Sequence, residues 1–125
     1  MDTETVTEIR WYREKELMKH HYPNFKPFLE EPWFGFQGHL RGKRTGRLLE
    51  VVIEGNAKKY PQYKPAVYID PKIGPHWVYA GVYGWVGRPG RSQLCLDTKE
   101  WNPAKDTFAS MVLRVIQYID TWDGL

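Results

Sequence analysis

The feature that most limits how this chain can fold is an apolar stripe near its C-terminus. Phe108, Met111, Val112, Val115, Ile116 and Ile119 follow one another at steps of three and one, the spacing of one broad face on an α-helix. A face that wide has to be buried, and a sheet built from the strands upstream is what the chain offers to cover it. The helix must therefore lie with its stripe against a sheet. Asp106 stands just ahead as the expected N-cap, and Asp123-Gly124 follow as a stop. The methionine and aromatic side chains of this segment are core, not a cofactor box.

The strands lie upstream. Residues 33–40 are aromatic-rich and bounded by turn residues. Residues 41–46 read as a hairpin loop with two glycines for unusual backbone angles. From 47 to 54 the chain alternates, with Leu49, Val51 and Ile53 on one face and Leu48, Glu50, Val52 and Glu54 on the other. A proline-punctuated corner leads to a third strand at 66–69, and residues 77–83 alternate as a fourth. Ahead of them, residues 6–21 read as a helix with Thr5 and Glu8 as a capping box and Pro23 as its end. Short connections favour an antiparallel meander. The expected fold is α+β: one domain over residues 1–125, with an N-terminal helix, a four-stranded meander, a long irregular loop and a C-terminal helix.

Composition narrows the function classes. A chain of 125 residues, 42% hydrophobic and 26% charged, reads as globular. No apolar run is long enough to span a bilayer, and the residues after Met1 do not read as a signal peptide. A single cysteine cannot form an internal disulfide framework, which points to the reducing cytoplasm. The formal charge of +3 permits nucleic-acid contact without demanding it. Arg41, Lys43, Arg44 and Arg47 form the densest basic cluster, read first as a solvated hairpin tip. Adjacent His20 and His21 face different ways on a helix and read as surface residues. No cysteine and histidine set has metal-ligand spacing, and no phosphate-binding loop occurs. Metal and nucleotide cofactors are not expected.

Residues 70–107 carry the chemistry. The only thiol, Cys95, lies between Leu94 and Leu96 and is open to two readings: a small buried hydrophobe, or a nucleophile. Arg88, Arg91 and Lys99 flank it in sequence and are available to support a thiolate. His76 is either a ring donor or base for acyl chemistry, or a histidine that fixes its loop. Asp97 is either an orienting carboxylate or a turn residue.

An ordered set of motifs then carries a resemblance. Tyr60-Pro61-Gln62-Tyr63-Lys64-Pro65 looks like the Tyr-Pro…Pro corner of ubiquitin-conjugating enzymes. Leu94-Cys95-Leu96-Asp97 matches the segment around their thioester cysteine, and Trp101-Asn102-Pro103-Ala104 resembles the Trp-Ser-Pro-Ala motif before their second helix. Gly74-Pro75-His76 stands where eukaryotic members carry His-Pro-Asn, a pattern similar to the short bacterial branch found beside cGAS-like nucleotidyltransferases in antiphage operons. The two further C-terminal helices of eukaryotic members are absent. Residues 82–93 look like an insertion that separates His76 from Cys95 by nineteen positions, expected as a mobile flap or an ordinary extra hairpin.

The resemblance implies a carrier that holds the C-terminus of a ubiquitin-like or cGAS-like partner on Cys95 and passes it to an acceptor. His76 and Asp97 assist, and a separate activating enzyme is a further expected partner. Two rivals belong to other classes: a non-catalytic module that only binds such partners, and an RNA-binding domain built on the basic hairpin and exposed aromatics.

Overall fold

Strand alternation in the middle of the chain, the run of helix-forming residues at its start and the helical stripe near its C-terminus are all realised. The computed structural model describes residues 3–79, 88, 91–96 and 101–125. Along it run α1 (Thr3–His21), β1 (Lys26–Glu30), β2 (Trp33–Arg41), β3 (Leu48–Asn56), β4 (Ala66–Asp70), β5 (Trp77–Tyr79), β6 (Ser92–Leu94) and α2 (Phe108–Trp122). Strands β1 to β4 form one antiparallel sheet in chain order. The α+β layout of N-terminal helix, four-stranded antiparallel sheet and C-terminal helix therefore holds.

The membership of the sheet differs from expectation. Its first strand is β1, which has mostly exposed side chains and contains Pro27. Such a strand shows no alternation to read, and proline is tolerated because the strand sits at the edge. The segment expected as fourth strand supplies β5, which pairs instead with β6 in a separate two-stranded ladder packed beside β4. Residues 80–83 of that expected strand lie outside the described residues.

The alternation on β3 sorts the sheet's two faces. Leu49, Val51 and Ile53 point inward with Phe34 and Phe36 of β2 and Val67 and Ile69 of β4. They meet Met18 of α1 and Phe108, Met111, Val112, Val115 and Ile119 of α2. Ile116 of the predicted stripe is only half-buried, and Tyr118 joins the buried set instead. Phe108 is the hub of this core: Tyr60, Phe36, Phe34 and Trp11 place their rings 4.7, 5.2, 5.7 and 6.3 Å from its own. Each fully buried large side chain of this kind contributes roughly 1.5–3 kcal/mol, so the aromatic content is largely spent on packing. On the opposite face Val52, Ala66 and Tyr68 form a smaller buried patch with Phe28.

Both helix starts differ from the sequence reading. α1 begins at Thr3, so Thr5 lies within its first turn and not at its boundary. The N-cap of α2 is Thr107, whose side chain accepts from the Ser110 N–H while the Ser110 hydroxyl accepts from the Thr107 N–H. Asp106 is occupied elsewhere: it accepts from the Asn102 N–H and the Ser110 hydroxyl and pairs with Arg114. Among the described residues, no helix is long and apolar enough to cross a membrane.

Candidate functional site

Nineteen positions of sequence separate His76 from Cys95, and the β5–β6 ladder closes them. Trp77 is registered opposite Leu94, Val78 opposite Gln93 and Tyr79 opposite Ser92. One residue beyond the ladder, the Cys95 N–H donates to the His76 carbonyl at 2.6 Å. The flanking leucines enter the core, Leu94 being 3% and Leu96 9% exposed, while Cys95 itself is only half-buried. A strand end that turns both neighbours inward leaves the thiol-bearing residue nearer the surface. Asp97 and Lys99 lie outside the described residues.

The turn that carries His76 is held from α2. The Tyr118 hydroxyl donates to the Ile73 carbonyl at 2.8 Å and accepts from the His76 N–H at 3.4 Å. The Trp77 indole N–H also donates to the Ile73 carbonyl, at 2.9 Å. Gly74 adopts φ +70°, and a Cβ there would come within 2.2 Å of the Tyr118 oxygen and 2.9 Å of the Trp122 ring, so backbone angle and space both require glycine. The exposed His76 ring rests edge-on against Tyr118 and Trp122, at 6.0 and 5.5 Å between centroids. Burial raises the Tyr118 phenol pKa, partly countered by the His76 N–H, so the hydroxyl keeps its proton.

The stretch after Cys95 is held from the opposite side. Lys64 donates to the Leu96 carbonyl at 3.1 Å, and the Trp101 indole donates to the Pro61 carbonyl at 2.8 Å. The proline corner thus ties down both flanks of the cysteine loop. Beyond Trp101, Asn102 accepts from the Ala104 N–H through its side chain and from Lys105 and Asp106 through its carbonyl. Arg10 of α1 donates to the carbonyls of Pro103 and Asp106, each at 2.6 Å. Behind this turn sits Glu14, 2% exposed, which accepts from the Tyr60 hydroxyl and the Phe108 N–H and pairs with Arg10 at 3.5 Å. Burial raises the Glu14 pKa, and the Tyr60, Phe108 and Arg10 contacts only partly offset it.

Two of the cations expected near Cys95, Arg88 and Arg91, are used elsewhere. Arg88 donates from Nε and Nη2, one edge of its guanidinium, to Glu54 at 2.9 and 2.8 Å, and from Nη2 to Glu30 at 2.8 Å. Its backbone N–H donates to the Tyr68 hydroxyl, and the Arg91 guanidinium lies 4.0 Å over the Tyr68 ring. Both therefore sit over the outer face of the sheet. Glu54, 1% exposed, is a carboxylate that strand alternation placed outward, and only the Arg88 pairing makes its burial affordable. The remainder of the predicted flap, apart from Arg88 and residues 91–93, lies outside the described residues.

The basic hairpin is not a free tip either. Arg47 pairs with Asp123 at 2.8 Å, Thr45 donates to the same carboxylate, Lys43 pairs with Asp120 at 3.3 Å, and Arg44 donates to the Thr121 carbonyl at 3.2 Å. Of the two loop glycines, Gly46 takes a positive φ of 73°. Gly42 is required for another reason: a Cβ there would lie 1.8 Å from the Asp123 carboxylate.

Two concavities adjoin these elements. One of about 490 Å³ lies between α1 and the Ala104–Thr107 turn, lined by Ile9, Arg10, Arg13 and Leu17. The other, about 430 Å³, opens over Val52, Tyr68 and Trp77. Cys95 and His76 are not among the described residues that line these two; His76 is exposed and Cys95 half-buried. No group of three or more metal-ligating side chains occurs among the described residues. Tyr118, Lys64 and Glu14 were missed as parts of this environment. Tyr118 alone left a signal, lying one helical turn from Val115 on the apolar stripe. No family model, curated protein or solved structure matches this chain.

Proposed function

We propose that this protein is an acyl carrier of the ubiquitin-conjugating type, working through Cys95 in the cytoplasm. The Cys95 thiolate attacks the activated C-terminal carboxyl of a ubiquitin-like protein or a cGAS-like nucleotidyltransferase, expelling the activating group and forming a thioester. An acceptor amine then attacks the thioester carbonyl, the C–S bond breaks, and the amine proton leaves to a base while Cys95 returns as thiolate. His76 is the group assigned to that proton or to the developing oxyanion, and Asp97 to orienting the amine. A role in bacterial antiphage defence follows the same resemblance.

The observation that carries this reading is the strand pairing that brings His76 and Cys95 side by side across nineteen positions, with Cys95 half-buried between two core leucines. The experiment supplies the carrier with partner and activating enzyme. Wild type is expected to form an adduct removed by reductant, Cys95→Ser at most a reductant-resistant ester, and Cys95→Ala none. A reductant-sensitive adduct on Cys95→Ala would falsify the assignment, because the chain has no other thiol.

The seat of the His76 ring on Tyr118 and Trp122 favours a second role for that residue, as a purely structural one. His76→Ala separates the two. Loss of transfer by about 10²–10³-fold with the fold intact supports the donor role. Loss in proportion to unfolded protein supports the structural role.

A further inference from the structure

The segment from Ile73 to His76 has few means of holding its own shape. Pro75 has no N–H to give, Gly74 has a left-handed φ, and β5 begins only at Trp77. The Trp77 N–H closes a short turn to the Pro75 carbonyl at 3.1 Å. Two further backbone groups, the Ile73 carbonyl and the His76 N–H, both meet the Tyr118 hydroxyl. That hydroxyl is carried by α2, on a side chain 7% exposed. One residue further on, the His76 carbonyl receives the Cys95 N–H. A continuous path of hydrogen bonds therefore runs from Tyr118 through the two ends of His76 to Cys95.

We propose that Tyr118 is the positioning residue of the candidate site: its hydroxyl, set between the Ile73 carbonyl and the His76 N–H, fixes the turn that places His76 beside Cys95. The proposal rests on the reading of His76 and Cys95 as a working pair. Tyr118 itself touches no reacting atom and acts only through His76. A phenylalanine would keep the ring against His76 and Trp122 but leave the His76 N–H without this partner and the Ile73 carbonyl with the Trp77 indole N–H, and the His76 N–H would then seek water by moving the turn. Of the two rings that touch His76, only Tyr118 titrates, and its burial keeps it neutral.

The test needs no partner protein, because Cys95 is the only thiol. The rate of its alkylation by iodoacetamide is measured in wild type, His76→Gln, Tyr118→Phe and the double variant, at a temperature where each is folded. Groups acting through one another are non-additive, with interactions worth roughly two- to a hundredfold in rate. His76→Gln and Tyr118→Phe are each expected to change the rate at least about twofold, and the double variant no further than the larger single change. A general loosening of the fold would instead make the two effects multiply, which would overturn the positioning role while leaving His76 in place. An alkylation rate indifferent to His76→Gln would overturn both this inference and the role given to His76. A non-additive cycle in a protein that never forms the thioester would retain the coupling and remove the carrier function. Should Tyr118→Phe fail to fold, Trp122→Phe is measured in the same cycle, and additivity there counts against the proposal in the same way.

Discussion

The two ends of α2 are each fastened by a buried carboxylate, and the two carboxylates respond in opposite directions. At the N-terminus, Glu14 reaches across from α1 to accept the Phe108 N–H, a position where the helix dipole favours negative charge. Even so, its pKa is raised, because burial outweighs what Tyr60, the Phe108 N–H and Arg10 return. At the C-terminus, Asp123 stands where the dipole disfavours an anion. Its pKa is nonetheless lowered, first of all by the Thr45 hydrogen bond; desolvation, next in size, opposes it, and Arg47 and Arg44 tip the balance further down. The difference shows that charge-compensating partners, not burial or dipole alone, decide how a carboxylate sits. It also divides the candidate site. The N-terminal end of α2 backs the turn downstream of Cys95, while the C-terminal end seats the turn that holds His76.

The sharpest way to break the comparison is to remove the N-terminal anchor. Glu14→Ala leaves the Tyr60 hydroxyl, the Phe108 N–H and part of Arg10 without their acceptor inside the protein. Removing one member of such a buried set costs about 3–5 kcal/mol, to be read from chemical denaturation. A loss below about 1 kcal/mol would mean that α1 and α2 are joined by the aromatic cluster alone.

The C-terminal counterpart is Gly74→Ala. The substitution forces a Cβ into a left-handed backbone position, 2.2 Å from the Tyr118 oxygen. The backbone strain is worth about 1–3 kcal/mol, and the turn has to lift from Tyr118 and Trp122 to relieve the contact. Hydrogen exchange at the Cys95 amide should accelerate more than exchange in β2 and β3, because its acceptor is the displaced His76 carbonyl. Uniform acceleration across the sheet would show that the two ends of α2 are not separate supports.

How much of this was legible depended on whether a residue's role was periodic. The α2 stripe and the β3 alternation repeat, so burial of Phe108 or Ile53 could be read directly. Edge strand β1 is exposed except at half-buried Phe28 and carries no pattern. The β5–β6 pairing joins two three-residue strands across a long interval, and nothing local announces it. Buried carboxylates were invisible for a related reason. Glu14 lies among α1 residues that read as surface, and Glu54 occupies an outward position whose burial depends on Arg88, thirty-four residues away. The candidate pair, Cys95 and His76, was named from the sequence, but the contacts that hold its loops, from Tyr118 and Lys64, run to backbone carbonyls and N–H groups that any sequence would supply.

A smaller effect, but one that sharpens the contrast, is the dependence of stability on pH. Glu14 has a folded pKa above its ordinary 4.5, so its contribution is complete below that value and is lost as pH rises through the raised pKa. Asp123 has a folded pKa below its ordinary 3.8, so its contribution is complete above 3.8 and is lost as pH falls through the lowered value. Thermal melts across the acid range are therefore expected to separate the two. Glu14→Gln should flatten the decline above pH 4.5 and leave the acid limb alone, while Asp123→Asn should flatten the acid limb only. Identical curves for the two variants would abolish the distinction.

The smallest expected effect isolates what an ion pair at the C-terminal end is worth without burial. Lys43 pairs with Asp120 as Arg47 pairs with Asp123, one helical turn away, but the Lys43 side chain is 78% exposed and Asp120 30%. A flexible ammonium in water gains little from such a partner and loses rotamer freedom on holding it. Lys43→Ala is expected to cost at most about 0.5 kcal/mol, with the difference from wild type vanishing as salt screens the pair. Arg47→Ala, by contrast, strands a carboxylate that has no exposed surface, and its destabilisation should persist at high salt. If the two variants respond alike to salt, the hairpin holds α2 by diffuse attraction between a basic loop and an acidic helix end, and Asp123 is no more an anchor than Asp120.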